Sequence, residues 1–401
     1  MSDSNTQSSL KILMITCLPF FSYRGTPISI KSRLEVLSNL GHEVDVITYH
    51  VGDDVEIPGI KILRIINLPF IKEVPVGPSL KKIFLDIFVF IKALRLLINR
   101  RYDIIHTHEE ASYFGVLFSK MFKIRHLYDF HSSLPQAMKN FGYERYRTLI
   151  YTLELLERQV INSSKGIITI STDLGDYIRN LNGKIPIVII ENFQDYDFYD
   201  VDKERLASFK QSHSELDGKD IVLYAGTFEL YQGLEILLAA AELVIKKKEN
   251  TVFVLVGGKQ SQIDNLRESA KKLGIESHVH FSGNLPIDEV ALYMNIANIL
   301  VSTRTIGNNP PLKIYDYLGA GKPIVATNIS AHTQILNDDI AVLVDPCPEF
   351  IAKGIISVID SPSYANALGQ RSREFFENNY NTQEKIEKTR QILNVVMQED
   401  I

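Results

Sequence analysis

Tryptophan is absent from this 401-residue chain, and cysteine stands at only two positions, Cys17 and Cys347. Thiols so few and so far apart exclude a disulfide-stapled scaffold and a cysteine-built metal site, and they suit a reducing cytosol. Long apolar runs are missing too. The first apolar stretch, residues 10–21, contains Lys11 and Pro19 and follows a polar leader at 1–9, expected to be disordered, that lacks a basic region. It reads as a first strand, not a secretory signal. The most apolar later window, residues 83–98, holds Asp86, Lys92 and Arg95, so no transmembrane helix is expected. Positive charge is not in excess: a formal net charge of −5 and a pI near 6.1 give no global case for a nucleic acid partner.

What is present is a soluble globular composition, 45% apolar and 23% charged, in a chain long enough for two domains. A strand at 11–16, a helix with Ile30, Leu34, Leu37 and Leu40 on one stripe, and a strand at 44–49 form a βαβ unit. The loop at 17–27 carries Gly25, either a phosphate-approaching residue or a plain turn residue; it has no G-x-G-x-x-G or Walker spacing. The alternation continues with strands at 60–66, 103–107, 124–128, 166–171 and 185–190 and helices at 80–99, 112–122, 143–161 and 172–181. This is a doubly wound α/β domain over residues 10–195. The polar, acidic stretch 196–220 reads as a linker. Strands at 221–226, 252–256, 278–282, 299–301 and 324–326, with helices between them, predict a second domain over 221–379. Two last helices, 362–379 and 382–397, lie past that sheet, and 380–401 is expected to fold back on the first domain.

The stretch 303–327 carries the clearest chemistry. Asn308 or Asn309 can cap a short helix, Pro310 and Pro311 fit its first turn, and Gly319, Gly321 and Pro323 end it. The apolar runs on both sides are buried strands. A strand–loop–helix–strand order puts the helix N-terminus at the carboxyl edge of a parallel sheet, where free N–H groups and the macrodipole attract phosphate. Lys313 and Asp316 share a helical face, either as an i,i+3 ion pair or, with Arg304 just upstream, as part of a diphosphate seat.

Gly41-His42-Glu43-Val44, Gly226 closing the first strand of the second half, and the helix from Lys313 to Pro323 resemble the family 4 glycosyltransferases over residues 10–379. That resemblance implies two Rossmann-like domains facing a central cleft, the B-type glycosyltransferase fold. It also implies retaining sugar transfer from a nucleoside diphosphate donor without a metal or other cofactor. Donor contacts would come from Gly226, Thr227, Gln232, Asn308, Pro311, Leu312 and Asp316, with Gly283 and Asn284 near the nucleobase. Departures stand out. Asn308 occupies the place of the first acid of the family's acidic pair, and Thr227 and Gln232 replace its phosphate-binding Arg and Lys. Arg304 and Lys313 are expected to supply that charge.

His131, at the carboxyl end of a first-domain strand, resembles the family histidine near the donor sugar and is a catalytic candidate with Arg304 and Lys313. His106 and His108 alternate on a strand, but no acidic or cysteine partner stands at ligand spacing, so no metal site is expected. Lys81, Lys82, Lys92, Arg95, Arg100 and Arg101 border an apolar stripe on the helix over 80–101. It is either a surface for anionic lipid or a core helix with snorkelling cations. The expectation is a cytoplasmic transferase, peripheral to the inner membrane face, moving sugar to a glycan or lipid-linked acceptor. The rivals are a nucleotide-sugar epimerase of the same fold and a non-catalytic nucleotide-sugar or partner-binding homologue.

Overall fold

Apolar runs covered on both faces become the central strands of parallel sheets, because crossover helices leave neither face to water. The computed structural model describes residues 9–22, 25–75, 79–140, 143, 145–193, 200–307 and 309–398. Nearly all of the expected leader, Asn308 and the start of the expected linker lie outside the described residues. The chain divides into two units, Met1–Asn192 with Thr382–Ile401, and Phe193–Asn381.

The first unit opens with β1 (Lys11–Ile15), α1 (Gly25–Asn39), β2 (Glu43–Thr48) and β3 (Ile60–Arg64). It continues with α2 (Leu80–Asn99), β4 (Ile104–His108), α3 (Ala111–Phe122), β5 (Arg125–Phe130), α4 (Leu134–Asn140) and α5 (Arg147–Ser163), then β6 (Gly166–Thr169), α6 (Thr172–Leu181) and β7 (Ile187–Ile189). The strands pair in parallel in the order β3-β2-β1-β4-β5-β6-β7. Helix starts follow capping chemistry: Ser79 accepts from the Lys82 N–H at α2, and Ser171 from the Leu174 N–H at α6.

The second unit holds α7 (Lys203–Ser212), β8 (Asp220–Ala225), α8 (Leu234–Ile245), β9 (Thr251–Val256), α9 (Gln260–Lys272), β10 (Val279–Gly283) and α10 (Ile287–Ile296). It goes on through β11 (Ile299–Ser302), α11 (Leu312–Ala320), β12 (Ile324–Thr327), α12 (Ser330–Thr333), β13 (Val342–Val344), α13 (Pro348–Ile359) and α14 (Pro362–Asn379). Its sheet order is β10-β9-β8-β11-β12-β13, again parallel. The last helix, α15 (Thr382–Met397), packs on α1 and on β5, β6 and β7 of the first unit, where Ile392, Leu393 and Val396 are fully buried.

Three segments differ from the sequence reading. The helix expected over 143–161 is α5, which begins later at Arg147, and an unexpected short helix, α4, precedes it. The expected linker carries α7, none of whose residues is fully buried, so no apolar stripe announced it; Asp202 starts it by accepting from the Glu204 and Arg205 N–H groups. The second sheet gains β13 and α13. β13 is only three half-buried residues, while α13 packs Ile351, Ile355 and Val358 against Leu237, Leu238 and Ala241 of α8.

Two buried histidines bear on stability. His126 in β5 lies between Thr107 Oγ1 (2.7 Å) and Ser164 Oγ (3.1 Å), and burial draws its pKa down to about 3. His332 lies between Ser302 Oγ (2.9 Å) and the Thr327 carbonyl (2.8 Å), and burial draws it down to about 4. A histidine whose folded pKa lies below its unfolded value of 6.5 binds more protons when unfolded, so stability falls as pH drops from 6.5 toward the folded value. Each group should cost about 2 kcal/mol between pH 7.5 and 5. Urea midpoints are expected to fall across that range, and less steeply in His332→Gln; midpoints that do not move would contradict the assignment.

Candidate functional site

In a doubly wound sheet the crevice for ligands opens beyond the carboxyl ends of the strands where the order reverses. In the second unit those strands are β8 and β11, and the loops leaving them carry Gly226-Thr227 and Thr303-Arg304. α11 follows. Pro311 takes its N-cap position in an extended conformation (φ −72°, ψ 138°) with no capping side chain, and Gly321 ends it at φ 64°. Both prolines therefore precede the helix instead of occupying its first turn, because a residue before proline is driven out of the helical region and Pro310 precedes Pro311. Asn309 stands two residues before the N-cap position, and its carbonyl accepts from Arg304 Nη1 at 2.9 Å.

Lys313, in the first turn of α11, turns into the crevice. Its ammonium lies 3.6 Å from the centroid of the Tyr224 ring and 3.2 Å from Gln232 Oε1. A Cβ on Gly226 would stand 3.0 Å from Nζ, so glycine there makes room for the cation. Burial drives the Lys313 pKa well below its ordinary value, and the Arg304 charge adds to the shift. The partners it has are an aromatic face and a neutral amide, which hold an ammonium in place without neutralising it.

Gln232 is buried, and its side-chain oxygen faces Lys313 while Nε2 lies 3.5 Å from Thr227 Oγ1. A cation at position 232 would repel Lys313; the amide accepts from it. The Arg304 guanidinium donates Nε to the Ile306 carbonyl at 2.8 Å and lies 5.1 Å from the Tyr231 ring centroid. Thr303 Oγ1 donates to the Gln232 carbonyl at 3.0 Å, and Thr327 Oγ1 to the Arg304 carbonyl at 2.5 Å. The loops after β8, β11 and β12 are thus tied together.

Of the expected donor residues, Gly226, Thr227, Gln232, Arg304 and Lys313 converge. Pro311 and Leu312 form the helix start, and Asp316 is half-buried one turn further on. Gly283 is reached through the loop after β9: its carbonyl accepts from the Gly257 N–H at 2.7 Å, and a Cβ on Gly257 would lie 1.9 Å from the Gly226 carbonyl oxygen. Asn284 is exposed. Tyr224 and His332 were not anticipated; inside an apolar strand and a four-residue helix, neither showed a pattern beyond core packing.

The first unit has its own crevice, at β1 and β4. Gly25 is the first residue of α1, not part of a longer loop, and nothing lies within 4 Å of where its Cβ would be. Thr26 Oγ1 donates to Glu109 at 2.8 Å, joining the first turn of α1 to the segment after β4, and Lys82 pairs with Glu110 at 2.7 Å. Beside them, His131 follows β5 and is 5% exposed. The acidic partner that spacing did not show is Asp129: parallel pairing sets it opposite His108, and it lies with His106 and His108 in a group whose ligand atoms are within 4.8 Å of one another. That carboxylate already pairs with Arg33 Nε at 3.0 Å. A guanidinium on the same oxygen disfavours a metal cation there.

α2 carries features of both readings. Leu85, Val89, Ala93 and Leu97 are buried, while Leu80, Ile83, Phe84, Ile87, Ile91 and Ile98 are exposed. It is a core helix on one face and an uncovered apolar surface on the other. No helix among the described residues is long and apolar enough to cross a membrane.

With this geometry in place, comparison with known proteins gives a consistent answer. The family described as Glycosyltransferase Family 4 matches residues 23–198, and that described as Glycosyl transferases group 1 matches residues 207–375. The alpha-monoglucosyldiacylglycerol synthase of Streptococcus pneumoniae is 24% identical over 82% of this chain and 74% of its own length. An uncharacterized glycosyltransferase of Methanocaldococcus jannaschii is 22% identical over 97% and 99%. Among solved structures, Anabaena HepE in complex with UDP-glucose superimposes with a TM-score of 0.74 at 15% identity, covering 96% of this chain and 99% of that one. With the two matches succeeding each other along the chain, each on its own Rossmann-like unit, the protein belongs to the family 4 glycosyltransferases of the B-type fold.

Proposed function

We propose that the chain is a retaining transferase that moves a sugar from a nucleoside diphosphate to a lipid-linked or glycan acceptor, without a metal in turnover. The observation that carries this is the Lys313 ammonium, buried on Tyr224 beneath Gly226 at the start of an uncapped helix. As the bond from the anomeric carbon to the phosphate oxygen breaks, negative charge grows on the leaving diphosphate. A prepositioned, poorly solvated cation and helix N–H groups bind that charge better than the ground state and lower the barrier. The acceptor oxygen forms the new bond on the same face, and its proton passes to the leaving phosphate, so the protein need supply no nucleophile. HepE was solved with UDP-glucose, and the pneumococcal relative is named for a diacylglycerol product; both support this donor and acceptor chemistry.

Thermal stabilisation by UDP, GDP, ADP and dTDP, with and without EDTA, tests the donor site. A ligand at 100 times its Kd adds about 2.7 kcal/mol. One diphosphate is expected to raise the melting temperature regardless of EDTA, Lys313→Ala to lose that shift, and turnover to fall with it. If no diphosphate acts on the wild type, Thr227 and Gln232 mark a non-catalytic homologue.

The uncovered side of α2 supports attachment to anionic lipid. Its exposed isoleucines and Phe84 lie beside exposed Lys81, Arg95, Arg100 and Arg101, and Phe70 nearby in sequence is 71% exposed. Apolar side chains entering the lipid interface and cations meeting its surface charge act together. Ile83→Gln with Ile87→Gln should weaken cosedimentation with phosphatidylglycerol vesicles by roughly tenfold or more at unchanged melting temperature. Wild-type protein that stays in the supernatant at low salt would remove the membrane from the reading.

A further inference from the structure

Five ionisable side chains come together under the carboxyl edge of the first sheet: Arg33 from α1, His106 and His108 from β4, Asp129 from β5, and His131 just after it. All are 5% exposed or less. Arg33 Nε lies 3.0 Å from Asp129 Oδ2, and His106 Nε2 lies 3.5 Å from the same oxygen. Asp129 Oδ1 faces His131 Nε2 at 3.2 Å, and His108 Nδ1 is also 3.2 Å from that nitrogen. Arg33, first among the attractive charges, holds the carboxylate ionised despite its burial, while burial keeps His106 and His108 neutral.

We infer that Asp129, pinned by Arg33, is a positioning residue that keeps the proton of His131 on Nε2 and so presents Nδ1 as the functional atom of that ring. The inference rests on the proposed transfer reaction only for its consequence on rate. The argument is electrostatic. If His131 Nε2 carried a lone pair, it would stand 3.2 Å from a fully buried negative carboxylate, an opposition that a low-dielectric interior does not screen. If Nε2 carries the proton, it can donate to His108 Nδ1, and its positive end lies 3.2 Å from Asp129 Oδ1, a charge contact and not a hydrogen bond, since Oδ1 has no hydrogen-bond partner among the described residues. The proton of His108 then sits on Nε2, which has no hydrogen-bond partner among the described residues. An orphaned neutral N–H is the lesser penalty beside a lone pair facing a charge. His131 stands where ligands meet a doubly wound sheet, past the end of β5 and next to β4, the strand at the reversal of order.

Asp129→Asn gives a specific reversal. Arg33 can only donate, so the amide oxygen stays with it and the amide NH2 turns to His131. Nε2 must then accept, and the proton moves to Nδ1. In serine protease triads the same change beside a histidine keeps the geometry, installs the wrong tautomer and slows turnover severely.

The test is a long-range 1H–15N spectrum of the full-length protein with labelled histidine, assigned with His131→Gln, followed by kinetics. In the wild type, His131 is expected as the Nε2–H tautomer; a proton on Nδ1 overturns the inference whether or not any variant folds. Asp129→Asn is expected to show Nδ1–H and to lower kcat by roughly a hundredfold or more, with the diphosphate-induced melting shift retained. An Asp129→Asn protein that folds, keeps Nε2–H and turns over at the wild-type rate also overturns it. The tautomer is read without any activity, so a failure of the transferase reading is seen separately, as a wild type that transfers no sugar.

Discussion

One lysine amine is held dry and without a counter-ion, and the ligand edge of the second unit is built around it. Lys313 has lost most of its water, and burial alone would favour its neutral form. A carboxylate partner would remove that tension but would also satisfy the cation in advance and repel an incoming anion. The structure uses weaker partners instead. The π face of Tyr224 and the oxygen of Gln232 fix the amine in direction without a counter-ion, so an arriving anion would draw it toward its charged form. Two backbone approaches make this possible: Gly226 admits the ammonium, and Gly257 lets the loop after β9 close on the Gly226 carbonyl. A side chain at 257 would push apart the loops that bound the crevice, and one at 226 would crowd the Lys313 amine from its place.

The first unit solves a different problem with opposite means. Its buried charges are balanced internally, Arg33 against Asp129, with two neutral histidines alongside. A buried pair of this sort adds little stability over well-packed apolar residues, because desolvation of both ions offsets their attraction. What it offers is direction. A carboxylate held by a donor-only partner on one oxygen has one face left, and that face is turned to His131. Neutral His126, beside Leu127 in the same sheet and in contact with a hydroxyl on each nitrogen, shows the alternative: a histidine satisfied by hydroxyls.

Much of this was legible before any coordinates. Buried parallel strands announce themselves as apolar runs, and helix starts such as Ser79 and Ser171 carry their own chemistry, so the alternation of both units could be read, α2 and α6 to the residue. The elements that escaped are those whose existence depends on neighbours. β13 has three residues and pairs only with β12, and α7 has no buried face. At the sites, Lys313, Arg304 and Gly226 were readable because motif and helix start coincide. The link from Asp129 to His108 was not, since the register between two parallel strands is set by packing of the helices that join them.

Thr227 and Gln232 look at first like the loss of two phosphate contacts. The position of Gln232 argues for substitution of function instead. Its side chain is spent on Lys313, and Arg304, which lies close enough to bear on the Lys313 charge, is braced by the Ile306 and Asn309 carbonyls and by Tyr231. Two cations already converge on the helix start. A third at position 232 would drive Lys313 further toward its neutral form and, in the proposed reaction, weaken its hold on the leaving diphosphate. Fewer cations, better held, favour the transition state over the bound donor, and selection on rate acts on that difference.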